Sequence, residues 1–124
     1  MSTRNRKKSG FARTKNYPHK KHPAKFHFLG NDEVEYITFT HHDEVELEGQ
    51  IFKTIPLDNN IVIEERGKKK SYAFPRVFIG TRSALGKKSN DFNLTKKDKE
   101  KVNKLFKTLP KKRVPYSTNS KKKN

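Results

Sequence analysis

Three consecutive residues in the first half of the chain, Thr40, His41 and His42, carry side chains that can donate or accept protons. Two arginines, Arg76 and Arg82, follow later in the sequence. Cleavage of RNA by its own 2′-hydroxyl needs a base, an acid for the leaving oxygen, and cations that stabilise the charge developing on the phosphate. Histidines and arginines are the residue types that supply these groups. Proteins that only bind RNA are also rich in them, so the residues allow both cleavage and binding.

Histidine is also a metal ligand, but no familiar ligand pattern is present. His19 and His22 are three residues apart, the chain has no cysteine, and no acidic residue completes a set. Residues 80–88 superficially resemble a phosphate-binding glycine loop. Their glycines are one residue too far apart, however, and Lys88 stands where a magnesium-binding hydroxyl is required. We therefore expect no metal and no cofactor.

The net charge of +17 is concentrated at the two ends of the sequence. Residues 1–22 contain eight basic and no acidic residues, and residues 107–124 contain seven basic and no acidic residues. The stretch between them has a net charge of only +2. Highly charged segments with few apolar residues do not pack. We therefore predict a disordered basic arm at residues 1–22, a folded domain at residues 23–109 and a disordered basic tail at residues 110–124.

Clustered cations favour nucleic acid as the partner, because binding to phosphates releases condensed counterions and gives strong, salt-sensitive attraction. RNA is expected ahead of DNA, since lysine-rich extensions on a small domain are suited to folded RNA. Tyr17 and Tyr116 lie within the basic segments and are expected to stack on bases. The predicted phosphate contacts are Arg4, Arg6, Lys7, Lys8, Lys20, Lys21, Lys68, Lys69, Lys70, Arg76, Arg82, Lys111, Lys112, Arg113, Lys121, Lys122 and Lys123.

The sequence gives little support for a membrane partner. The basic segments lack the interleaved apolar residues of an interfacial helix. Ser2 stands where myristoylation needs glycine, and no cysteine is available to carry another lipid. No apolar run is long enough to form a signal segment or a membrane span. We expect a cytoplasmic protein with no membrane partner.

Short strands dominate the predicted structure between residues 25 and 79. Phe26 and Phe28 alternate with polar residues, which predicts a strand at residues 25–29, and residues 34–40 are rich in β-branched and aromatic types. A turn sequence at residues 30–32 joins them as a hairpin. Further strands are predicted around residues 45–47, 51–57, 61–63 and 72–79, the last interrupted by Pro75.

One helix follows these strands. Thr95 fits an N-cap with Asp98 three residues later, and apolar residues recur from Val102 to Leu109 at the spacing of one helix face. Pro110 ends the pattern. The predicted fold class is mainly β with a C-terminal helix, in the form of a small SH3-like or OB-like antiparallel barrel flanked by disordered basic arms.

A resemblance to the MazF/PemK family of toxins, SH3-like barrels that cleave RNA, rests on three segments. Residues 36–41 resemble the strand that ends near a catalytic threonine in that family. Residues 71–77 resemble a strand that precedes its terminal helix, and residues 94–109 resemble the helix. The resemblance implies an endoribonuclease toxin that uses Arg13, Thr40 and His41, and it leaves open an antitoxin-like protein partner. Residues 1–15 do not supply the family's apolar first strand.

Three hypotheses follow. The first is a nucleic-acid-binding protein, with RNA favoured, that uses its basic arms to attract phosphates. The second is an endoribonuclease toxin of the MazF/PemK type. The third is an accessory or inhibitory protein of a mobile element or phage that acts on a nucleoprotein complex.

Overall fold

Nine strands and one α-helix form the part of the chain that the computed structural model describes, residues 9–115. In chain order they are β1 (Ser9–Arg13), β2 (Pro23–Gly30), β3 (Glu33–Thr40), β4 (Glu44–Leu47), β5 (Gln50–Lys53), β6 (Ile55–Pro56), β7 (Tyr72–Ala73), β8 (Val77–Thr81), α1 (Lys96–Thr108) and β9 (Lys111–Arg113). The predicted class, mainly β with one C-terminal helix, is confirmed.

The long strand β3 is the centre of the sheet. It pairs along its length with β2, which pairs in turn with β1, and all three are antiparallel. On its other side the first half of β3 pairs with β8 and its last two residues pair with β7. β6 continues the sheet beyond β7, and β9 adds to β8 as a parallel strand. Among residues 9–115 no strand pairing closes this sheet into a barrel.

The sheet extends past both predicted domain boundaries. β1 lies in the segment predicted as the N-terminal arm, and β9 lies in the predicted tail. Phe11 and Ala12 of β1 are buried, so this strand is held by its core contacts as well as by pairing with β2. Residues 9–115 contain 23 of the 30 basic residues and all 13 acidic ones. Residues 9–115 therefore carry a net charge of +10, whereas residues 23–106 carry a net charge of only +2.

The sheet has a core on each face because successive residues of a strand point to opposite sides. Ile37 and Phe39 of β3 belong to the cluster that packs against Val102 and Phe106 of α1. The alternate residues, including Tyr36, belong to a second cluster with Phe26, Phe74, Phe78 and Leu85. Most of the strand aromatics are therefore core residues, as their number predicts in a chain with few other large apolar side chains.

The helix begins where its capping signal predicts. The Thr95 hydroxyl accepts the backbone N–H of Asp98, and the last helical residue, Thr108, is followed closely by Pro110. The strand predicted at residues 61–63 is wrong. Val62 makes an isolated bridge to Phe92, and Ile63–Glu65 forms a 3-10 turn instead. Three apolar residues in a row do not distinguish a strand from a turn by pattern alone.

Candidate nucleic-acid interface

A cleft of about 380 Å³ opens at the end of the sheet where three strands terminate or begin. β1 ends at Arg13, which is paired with Pro23 at the start of β2, and β3 ends nearby at Thr40. Antiparallel pairing brings these points together, since alternate strands start and stop at the same edge. The cleft is lined by Arg13, His22, Pro23, Phe39, Thr40, His41, His42, Ile61, Val62, Glu65 and Ser71.

The connection between β1 and β2 places His22 in the cleft. Thr14, which is 2% exposed, organises this connection. Its hydroxyl accepts the backbone N–H of His22 and donates to the carbonyl of His19, while its own N–H donates to the His22 carbonyl at 2.9 Å. A cis peptide bond joins Tyr17 to Pro18 within the same loop. Thr14 thus closes the loop, and the cleft residues Arg13 and His22 lie at its two ends.

The environment of His22 favours its neutral form. Burial of the ring lowers its pKa, and positive charge from His19, Arg13 and His42 lowers it further. The His19 and His22 rings are in contact, with their centroids 5.3 Å apart. A histidine that is neutral near pH 7 can accept a proton or a hydrogen bond from a ligand hydroxyl.

His41 is oriented by Asn60, which is 1% exposed. The Asn60 side-chain oxygen accepts the Val62 N–H at 2.9 Å, which identifies that atom as the acceptor. The same oxygen lies 3.5 Å from His41 Nε2, so Nε2 carries the proton in this contact. His41 Nδ1 is then the ring nitrogen left to exchange a proton with a ligand.

Arg13 lies at the cleft with its guanidinium held on two sides. Its Nη1 donates to the Lys21 carbonyl at 2.8 Å, and the guanidinium carbon lies 4.9 Å from the centroid of the Phe92 ring. These contacts leave further guanidinium N–H donors for a ligand. The side chain is exposed, so its charge is available to a phosphate.

The structure brings together Arg13, Thr40 and His41, the three residues that the family resemblance implies as catalytic. It does not bring Arg76 and Arg82 to them. The Arg76 guanidinium lies over Phe52, and that of Arg82 lies over Phe26. Phe26 belongs to the second core cluster and Phe52 packs against it. The grouping of these two arginines with the histidine pair is therefore wrong, because they flank β8 and pack against rings away from the cleft lining.

The other predicted phosphate contacts fall into three groups. Lys20, Lys21 and the loop residues Lys68, Lys69 and Lys70 are exposed. The β9 cations each contact a carboxylate: Lys111 contacts Glu35, Lys112 contacts Glu48, and Arg113 contacts Glu33. Their charge is thus partly compensated within the fold. Arg4, Arg6, Lys7, Lys8, Lys121, Lys122 and Lys123 lie outside the described residues.

Tyr17 is not a free stacking residue, which corrects the sequence prediction. It is 8% exposed, its ring packs edge-on against Phe78, and its hydroxyl donates to Glu48 at 3.1 Å. Burial and the nearby Glu48 carboxylate raise its pKa. The sequence around Tyr17 does not indicate this burial, because its partners Glu48 and Phe78 are distant in the chain. Tyr116 lies outside the described residues.

From the sequence, His22 is considered only as a metal ligand and rejected as one, and Asn60 is not identified as a site residue. His22 precedes a strand-starting proline, a position without any special signal. Within residues 9–115 no three metal-ligating side chains are grouped, and no helix there has the length and apolar character needed to cross a membrane.

Comparison of the chain with protein-family models, with curated proteins and with solved structures finds no match in any of the three. Function is therefore inferred from the geometry and charge of the cleft.

The pKa of His22 is open to direct measurement. In an NMR titration we expect its ring to titrate below the ordinary histidine value of about 6.5. Arg13→Met should raise that midpoint, because it removes one positive neighbour. Protonation of His22 favours unfolding, so its contribution to stability is complete above the unfolded-state pKa and is lost as the pH falls below it. A midpoint at or above 6.5 would contradict the burial and charge assigned to this ring.

Proposed function

We propose that this protein binds RNA and that the cleft receives a phosphodiester group of the strand. The observation that carries the proposal is the composition of the cleft lining. Arg13, His22, His41 and His42 line it, and Glu65 is the one carboxylate among the lining residues. Guanidinium and imidazole N–H groups are good donors to phosphate oxygens.

The charge around the cleft supports the same proposal. Residues 9–115 carry +10, and exposed Lys20 and Lys21 belong to the loop that supplies His22. The lysines at 68–70 come three to five residues after Glu65, a lining residue. The segments outside the described residues add seven more positive charges. Such a surface draws in a polyanion through long-range attraction and counterion release.

A single strand is the form of RNA that the cleft favours. Its volume lies near the lower limit of small-ligand sites, which suits one sugar–phosphate unit. A double helix presents a broad convex surface and cannot insert into a recess of this size. Unpaired RNA exposes its backbone and its 2′-hydroxyls and can enter it.

The cytoplasmic location and the SH3-like or OB-like barrel type remain predictions.

Binding is tested with a fluorescent single-stranded RNA of about twelve nucleotides and a DNA of the same sequence. We expect the logarithm of the affinity for RNA to fall linearly with the logarithm of salt concentration. Arg13→Gln should lower affinity about three- to tenfold at moderate salt, because it removes a phosphate contact. Arg76→Gln is the matched control, since it removes the same charge away from the cleft. Affinity that is indifferent to salt, or equal losses in both variants, would contradict the proposal.

A second candidate function, RNA cleavage, is supported by one specific feature of the cleft. Two histidines with different surroundings, His22 and His41, line it together with Arg13 and Thr40. One histidine is kept neutral by burial and neighbouring charge, and the other is oriented through Nε2. Paired titratable groups in different environments are suited to divide the roles of base and acid. The MazF/PemK resemblance implies the same activity.

The proposed reaction needs no cofactor. The 2′-hydroxyl gives its proton to neutral His22 as its oxygen forms a bond to phosphorus. The bond from phosphorus to the 5′-oxygen breaks, and protonated His41 gives that oxygen its proton from Nδ1. Arg13 donates to the phosphate oxygens that gain charge. The products are a 2′,3′-cyclic phosphate and a free 5′-hydroxyl. Incubation of the purified protein with RNA and analysis of both ends tests this, and intact RNA would remove the candidate.

A further inference from the structure

A second recess, of about 300 Å³, lies between β1, β2, the first turns of α1 and the loop before the helix. We call it the lysine pocket, because three lysines from three different elements line it. They are Lys25 of β2, Lys88 of the loop and Lys99 of α1. The remaining lining residues are Gly10, Phe11, Ile63, Ser89, Asn90, Phe92, Asn93 and Leu94.

The three ammonium groups are close enough to disfavour one another. Burial lowers the pKa of Lys25, and the charges of Lys99 and Lys88 lower it further. Among residues 9–115 no carboxylate forms an ion pair with any of the three. Lys25 lies instead over the Phe11 ring, with Nζ 5.1 Å from its centroid. A bound anion would relieve this repulsion.

The backbone of β1 makes room for one of these lysines. The side chain of Lys88 lies across Gly10, and a Cβ at that position would collide with it. Asn93 and Ser89 add polar groups to the lining. The Asn93 side-chain oxygen accepts the Leu94 N–H at 2.9 Å, which leaves its amide N–H groups as donors. Ammonium, amide and hydroxyl donors around one recess match the acceptors of a phosphate group.

The lysine pocket is adjacent to the cleft on the same face of the molecule. Phe92 lines the lysine pocket and also lies under the guanidinium of Arg13, which lines the cleft. β1 runs from one to the other, with Phe11 at the lysine pocket and Arg13 at the cleft. Two residues of a strand span about 6.6 Å. The two sites are therefore close enough to contact neighbouring phosphates of one strand.

We propose that the lysine pocket binds a phosphate group of the RNA strand whose adjoining phosphodiester occupies the cleft. This inference rests on the proposed RNA-binding function for the source of the phosphate. The phosphate chemistry itself follows from the three lysines and is testable without RNA.

The first experiment uses inorganic pyrophosphate and thermal unfolding. The pocket variant is Lys88→Gln/Lys99→Gln, and the control is Lys87→Gln/Lys104→Gln. Both remove two exposed lysines from the same loop and the same helix, but Lys87 and Lys104 do not line the pocket. Pyrophosphate should raise the Tm of wild type and control, and should raise that of the pocket variant by less than half as much. Equal rises in all three proteins would overturn the pocket as a phosphate site.

The second experiment uses the twelve-nucleotide RNA. The pocket variant should bind about tenfold more weakly than the control, and the slope of log affinity against log salt should fall by about 0.7 for one lost phosphate contact. Equal affinities of the two variants would overturn RNA as the occupant. If wild type does not bind RNA, the proposed function fails and RNA is excluded as occupant, whereas a pyrophosphate effect confined to wild type and control still supports the phosphate site.

Discussion

Replacing His22 by alanine should slow cleavage of RNA by about 10²- to 10⁴-fold, the range that a positioned proton-transfer group contributes. In the proposed reaction His22 takes the proton of the 2′-hydroxyl, and only its neutral form can do so. The wild-type rate should therefore rise with pH as His22 loses its proton, with a midpoint below 6.5. The variant should lack this acidic limb. Single-turnover cleavage of a labelled RNA between pH 4.5 and 8 measures both effects.

The matched control is His27→Ala, because His27 contacts Glu35 and the Phe106 ring and does not line the cleft. Its variant should retain the pH profile of wild type. RNA affinity of the His22 variant should stay within a few-fold of wild type, so the loss falls on the rate. If His22→Ala weakens binding and leaves the rate of bound RNA unchanged, His22 is a binding residue only, and the endoribonuclease reaction as written is incorrect.

Replacing Asp98 by alanine should lower the free energy of unfolding by about 2–4 kcal/mol, since hydrogen bonds to a charged group contribute about 1.5–3 kcal/mol each. Asp98 is 1% exposed. One of its oxygens accepts the Asp58 N–H at 2.8 Å and the other accepts the Asn59 N–H at 3.0 Å. Alanine leaves both part-buried donors without their acceptor. Urea unfolding followed by circular dichroism measures the difference.

The effect should extend to the cleft. Asp98 fixes the segment that carries Asn60, and Asn60 contacts His41. RNA affinity or cleavage should therefore also fall in the Asp98 variant at temperatures where it is still folded. Asp58→Ala is the control, because the Asp58 carboxylate only forms an exposed ion pair with Lys97 at 3.5 Å. That change should cost less than about 1 kcal/mol. Equal losses in both variants would show that Asp98 does not anchor this segment.

The helix is the element that the sequence predicts best. Its cap, its apolar face and its stop are local signals, and each depends on residues within one or two turns. Thr95 caps the helix, Val102 and Phe106 are buried, and Leu105 and Leu109 pack against the same cluster. The hairpin of β2 and β3 is predictable for a similar reason. β2 alternates clearly, β3 is rich in β-branched and aromatic residues, and a turn of few residues separates them.

β1 and β9 were not predictable from charge and pattern. Each is short, each lies in a basic segment, and each becomes a strand through a partner elsewhere in the chain. β1 pairs with β2, and the buried side chain of Phe11 contacts the rings of Phe39 and Phe92. β9 pairs with β8, and Arg113 contacts Glu33, 80 positions away. A sum of charge over 15 to 20 residues conceals such contacts, because one buried aromatic residue can hold a strand that is otherwise polar.

The residue types of the cleft were evident in the sequence, since histidine, arginine and threonine beside a basic chain already indicate proton transfer and phosphate contact. The tertiary structure, however, determines that these residues lie close together. Arg13, His22 and Thr40 come together because antiparallel pairing brings the end of β1, the start of β2 and the end of β3 to one edge, and because Thr14 closes the loop between the first two. Arg76 and Arg82 have the same charge, and the sequence alone does not separate them from Arg13. They flank β8, however, and their guanidinium groups lie over Phe52 and Phe26 of the second cluster. Charge draws a phosphate from a distance, whereas the direction of a side chain, set by strand pairing and packing, determines where the phosphate can bind.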